Sequence, residues 1–128
     1  MIFDEKLLFC DDAAMVADAA VGDIVDLNDA GLDLAVGEIP FFGIMVTEAL
    51  AGTTTTMNFV FSSCDTVGGS YTTLFTSEAY AKAAIIPGKK IKVPIPDGCQ
   101  QFVKIATLSS GSGTGTVTAG KMTAGIVK

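Results

Sequence analysis

Histidine, arginine and tryptophan are missing from all 128 residues. Without histidine the chain lacks the commonest general acid–base group and the commonest metal ligand near neutral pH. Without arginine it has no bidentate fork for carboxylate or phosphate. Without tryptophan it lacks one of the side chains most enriched at binding hot spots. Any catalysis would fall to carboxylates, lysines, tyrosines or cysteines, and the balance moves toward a structural or binding protein that is not an enzyme.

Charge is scarce as well. Only 17% of residues are charged while 49% are hydrophobic, a composition that folds and that favours hiding surface in an assembly. Fourteen acids against eight lysines leave a net charge of −6, the wrong sign for nucleic acid. The segment Met1-Ile2-Phe3-Asp4-Glu5-Lys6 is acidic where a secretory signal is basic. The longest uncharged stretch near mid-chain, Ala49 to Cys64, is rich in Thr, Asn, Ser and Gly. It does not resemble a membrane span of roughly 20 apolar residues. Cys10, Cys64 and Cys99 are odd in number, far apart and without a Cys-x-x-Cys pair. They read as buried or partly buried thiols made in a reducing cytoplasm, not as a disulfide framework or zinc site.

What the chain does have is short β-prone runs divided by Gly, Pro, Asn and Asp. Val21–Asn28 alternates and ends at the turn signal Asn28-Asp29-Ala30-Gly31. Pro40–Glu48 places Phe42, Ile44 and Val46 on one face, with Phe41 and Met45 opposite. Thr55–Cys64 turns Met57, Phe59 and Phe61 inward, and Thr72–Thr76 is a shorter piece of the same kind. Lys89–Pro96 alternates Ile91, Val93 and Ile95 with Lys90 and Lys92, and its two prolines mark an edge strand. Gln101–Leu108 and Lys121–Val127 complete the set, with Ser109–Gly115 as a hairpin loop between them. Two segments have helical leanings: alanine-rich Asp11–Ala20, and Ser77–Ala84 with a Ser77 N-cap and a Glu78/Lys82 pair. Each is too short to stand alone. The expectation is an all-β, antiparallel, jelly-roll-like sandwich of about seven or eight short strands with at most one or two helical turns. Residues 1–20 form an arm leading into a single domain over 21–128.

The motifs that tempt a chemical reading fail on their neighbours. Gly115-Thr116-Val117-Thr118-Ala119-Gly120-Lys121-Met122 has phosphate-loop spacing, but Met122 stands where the motif needs a hydroxyl and no helix pattern follows. Asp23, Asp26, Asp29 and Asp33 sit among Gly22, Ile24, Val25 and Gly31, which favour strand and turn over a calcium loop. Asp4/Glu5 and Asp11/Asp12 have no aromatic sugar platform beside them. The cysteines have no histidine as base. Lys89, Lys90 and Lys92 read as guards of an exposed edge. Met1, Ile2, Phe3, Leu7, Leu8 and Phe9 are apolar residues that need a partner, either the domain's own core or a neighbouring surface. They are the candidate residues for contact with a neighbouring subunit. No catalytic, cofactor-binding or metal-binding residues are assigned.

The order of several blocks resembles one family. Gly88-Lys89-Lys90-Ile91-Lys92-Val93-Pro94-Ile95-Pro96-Asp97-Gly98, then Phe102-Val103-Lys104-Ile105, then Thr118-Ala119-Gly120-Lys121-Met122-Thr123-Ala124-Gly125-Ile126-Val127 look like the Bbp16-type capsid cement proteins of tailed bacteriophages. Upstream, Phe9-Cys10-Asp11-Asp12-Ala13-Ala14, Asp26-Leu27 and Ala30-Gly31-Leu32-Asp33-Leu34 through Gly37-Glu38 follow the same order. The resemblance implies a jelly-roll decoration protein made in the host cytoplasm and carried on the outer capsid surface of the virion. It implies homo-oligomers, dimer or trimer, that bridge major capsid protein subunits of the HK97 type. It implies no cofactor, no nucleic acid and no membrane. The competing reading is a virion-surface adhesion or carbohydrate-binding sandwich, and behind it a small carboxylate hydrolase.

Overall fold

The computed structural model describes residues 7–16, 18–27, 40–96, 98–109 and 116–127. Ten strands follow one another: β1 (Leu8–Ala14), β2 (Asp18–Ala20), β3 (Val25–Asp26), β4 (Phe41–Ala51), β5 (Thr56–Cys64), β6 (Thr72–Thr76), β7 (Tyr80–Ala81), β8 (Lys90–Pro94), β9 (Phe102–Ser109) and β10 (Ala119–Val127). A 3-10 turn, Lys82–Ala84, lies between β7 and β8. One sheet runs β1-β10-β4-β8 and the other β2-β9-β5-β6, with β3 also on β9 and β7 also on β5. Every pairing is antiparallel.

Taking β2 with β3 and β6 with β7 as single positions leaves eight. The first then pairs with the eighth, the second with the seventh, the third with the sixth and the fourth with the fifth. That nested pairing, wound into two sheets, is a jelly roll. The all-β expectation holds in class and in topology.

The core forms where the period-2 pattern puts it. In β5, Met57, Phe59 and Phe61 are buried and alternate with half-buried Thr56, Asn58 and Val60. In β4, Phe42, Ile44 and Val46 face inward. In β8, Ile91 is buried between exposed Lys90 and Lys92. Phe42 and Phe61 stack across the two sheets at 4.2 Å with planes 3° apart, and Phe9 tilts against both at 6.3 and 6.1 Å.

Two expectations about the early chain need correcting. Asp11–Ala20 is not helical: β1 covers Leu8–Ala14 and β2 covers Asp18–Ala20. Alanine's helix preference is a weak prior, and pairing with β10 and β9 overrides it. The sandwich therefore begins inside the segment read as an arm. The strand read over Val21–Asn28 shortens to Val25–Asp26, because Gly22 turns the chain with φ +76°. A side chain there would strike the Phe9 carbonyl oxygen, and that oxygen already accepts the Asp23 N–H at 2.7 Å. Ser77 is not a helix cap either. Its hydroxyl accepts the Phe59 N–H at 2.8 Å and donates to the Glu78 carbonyl at 2.9 Å.

Phe61→Ala removes the ring that joins the sheets and leaves a cavity at a site with almost no exposure. The expected loss is about 3–5 kcal/mol, read as a fall in the urea midpoint with an unchanged slope.

Candidate contact surface

The residues proposed from sequence for capsid or intersubunit contact divide three ways. Met1, Ile2 and Phe3 lie outside the described residues. Leu7 and Phe9 are 2% and 1% exposed and belong to the domain's own core. Leu8 is half-buried on β1, opposite Gly125. The apolar partner that Leu7 and Phe9 need is supplied by the sandwich itself, the first of the two alternatives the sequence left open.

The carboxylates are engaged structurally. Thr123 Oγ1 accepts the Asp12 N–H at 3.0 Å and donates to Asp11 Oδ1 at 3.2 Å, while Thr47 Oγ1 donates to Asp12 Oδ1 at 2.6 Å. This polar stitch ties β1 to β10 and β4 where the β1–β10 register shifts and where Asp12 takes φ +50°. Asp26 lies on the other sheet and accepts from Gln101 Nε2 at 3.0 Å. Asp29 and Asp33 fall outside the described residues. The stretch with phosphate-loop spacing is strand from Ala119 on, with Lys121 opposite Ala14 and Glu48. Among the described residues no three cysteines or carboxylates cluster as a cation site.

Three lysines lie over aromatic rings: Lys89 over Tyr80 at 5.3 Å, Lys92 over Phe41 at 4.3 Å and Lys104 over Tyr71 at 4.2 Å. Both tyrosines of the chain thus carry an ammonium on one face, which leaves less bare ring for a sugar to stack on.

The outer face of the β2-β9-β5-β6 sheet carries a row of small, uncharged side chains. The registers set Ala20, Ala106, Val60 and Thr76 in one row across four strands. Leu108, 40% exposed, and Asn58 sit together in the next row. These six side chains are small or uncharged; the same registers bring Asp18 opposite Leu108 and Lys104 opposite Ser62 at the margins of the face. Sequence reading missed this face because it is assembled from four separate strands. The only local hint was the outward set of each alternation.

Residues 9–126 match the Bbp16 family. The chain belongs to that family. The matched span runs from β1 into β10 and so takes in the whole sandwich. The family name is bacteriophage-associated, and this Bbp16-family chain is a phage-associated β-sandwich protein. No curated protein matches it.

The thiols are placed as the sequence implied, with Cys10 and Cys64 buried and Cys99 half-buried. Burial pushes Cys99 from 9.0 up to about 11 and raises Cys10 as well. A thiol raised in the folded state favours folding below the unfolded value, and that contribution is lost as pH climbs through the folded value. Stability should therefore fall between about pH 9 and 11. Cys99→Ser should flatten the decline, as measured by urea melts at stepped pH. Thr123→Val strips the Asp12 N–H of its acceptor and should cost about 1–2 kcal/mol, seen as a lower melting temperature with the strand signature in circular dichroism retained.

Proposed function

We propose that this Bbp16-family protein is a capsid decoration, or cement, protein. It binds the outer surface of the expanded phage shell, bridges neighbouring major capsid protein subunits of the HK97 type, and works as a homo-oligomer on the virion without catalysis. The observation that carries this reading is the family match across the whole sandwich, and the uncharged row Ala20–Ala106–Val60–Thr76 fits it. A cement protein has no bond to make or break. It needs area that complements the mature lattice and not its precursor, so that each bound copy stabilises the expanded state by mass action. An oligomer spanning two capsid subunits adds avidity through effective concentration.

The residues support that economy. Asp11, Asp12 and Asp26 hold strands together, lysines rest on rings, and the outer row Ala20–Ala106–Val60–Thr76 brings no charge to be desolvated on docking. The sugar-binding alternative rests on two tyrosines, each already approached by a lysine.

Purified protein should co-sediment saturably with expanded capsids and not with unexpanded ones, at a copy number fixed by the lattice. Replacing Ala106 with Glu, which sets a carboxylate in the middle of the uncharged row, should weaken that binding at least tenfold while the fold is kept. Equal binding to both shells, or to neither, would remove the cement reading.

A further inference from the structure

Each sheet of an open sandwich has two edges, and an unguarded edge is a template for another strand. Three of the four edges here carry a guard. β8 exposes Lys90 and Lys92 and ends in Pro94, which has no N–H to offer. β1 is broken by two register shifts, and its Phe9 carbonyl is taken by Asp23. The third edge is divided into three-residue β2 and two-residue β3 by the Gly22 turn. The β6 edge also shifts register once and is followed by two-residue β7, yet β6 is the longest edge run with neither charge nor proline. In Thr72-Thr73-Leu74-Phe75-Thr76 the three threonines are exposed, and β5 is its one neighbour among the described residues.

The register shows which of its backbone groups are spare. Ser77 N–H bonds the Phe59 carbonyl, so Phe59 directs its backbone toward β6. β5 stays in continuous register with β9 from Met57 to Cys64, so the direction alternates regularly along it. Val60 and Ser62 therefore point to β9, and their partners Thr76 and Thr73 turn their own N–H and C=O outward. Two residues three apart face the same way because the β5–β6 register shifts between them.

We infer that a second copy of this chain pairs with this edge, β6 against β6 about a two-fold axis, joining the two four-position sheets into one continuous sheet. In the antiparallel register that uses both outward residues, Thr73 lies opposite Thr76 of the partner subunit. Threonines directly opposite each other on a sheet are a favourable pair. The same register sets Tyr71 opposite the partner's Glu78. Lys104, whose ammonium rests 4.2 Å from the Tyr71 ring centroid, then meets that carboxylate on the outer face, once on each side of the axis. Self-pairing through a site with balanced charge suits a chain of net charge −6, since copies meeting through acidic edges would repel. The inference rests on the homo-oligomer in the proposed function and not on capsid binding.

The test is sedimentation velocity on the full chain without capsids, over a hundredfold range of concentration. The expected result is a monomer–dimer equilibrium that Glu78→Lys and Lys104→Glu each weaken about tenfold and that the double swap restores. Thr76→Pro deletes an N–H that β5 does not use, so it should abolish the dimer while the melting temperature holds. A chain that stays monomeric throughout would overturn the inference. So would a dimer indifferent to all four variants. Capsid co-sedimentation of the same variants is scored separately, so a lost dimer and a lost cement role are told apart.

Discussion

The contact on which the rest depends is the stack of Phe42 on Phe61 between the two sheets, with Phe9 leaning on both. The chain has no tryptophan, and its three cysteines are free, so nothing covalent holds the layers together. Packing must do so, and dispersion and burial reward only close contact. The three rings come from β1, β4 and β5, and each fixes the inward face of its strand. With Phe61 set inward, Val60 and Asn58 have no choice but to face out. The outer face is thus a by-product of the core's alternation.

The same constraint explains why the polar groups are used as they are. A bulged first strand brings Asp12 into a left-handed backbone conformation, and the Asp11–Thr123–Asp12–Thr47 stitch secures it. Buried threonine and serine hydroxyls likewise serve the backbone: Thr107 donates to the Val16 carbonyl at 2.6 Å, and Ser77 accepts from Phe59. Among the described residues, no buried side-chain nitrogen or oxygen is left without a partner. An apolar interior whose few buried polar side chains are all committed is suited to holding a shape.

Much of this was legible in the sequence, and the parts that were not share a cause. β4, β5, β8 and β9 follow from alternation, since burying one face of a strand fixes its register. The block order of the last third pointed to the family. Asp11–Ala20 misled because alanine lowers the cost of a helix locally, while the pairings that decide the outcome come from β10 and β9, far along the chain. Leu7 and Phe9 were recognised as needing a partner, but hydrophobicity does not say whose. β8 was marked as an edge by its lysines and prolines, whereas β6 carries no such mark, so its edge position among the described residues was illegible. Thr72–Thr76 reads like any interior strand until the other nine are placed.

The nested pairing also has a consequence in time. β10 sits between β1 and β4, in the middle of its sheet, yet it is the last of the ten strands to be synthesised. While the ribosome works through the intervening residues, β1 has no neighbour on that side, and the apolar faces of Phe9 and Phe42 have no finished layer beneath them. Local contacts cannot bridge this interval, because the pairings with the greatest sequence separation are also the ones that close the sheet. Assembly thus waits on a late strand. For that interval the nascent chain depends on its own sparse charge, or on chaperones, to stay apart from its copies.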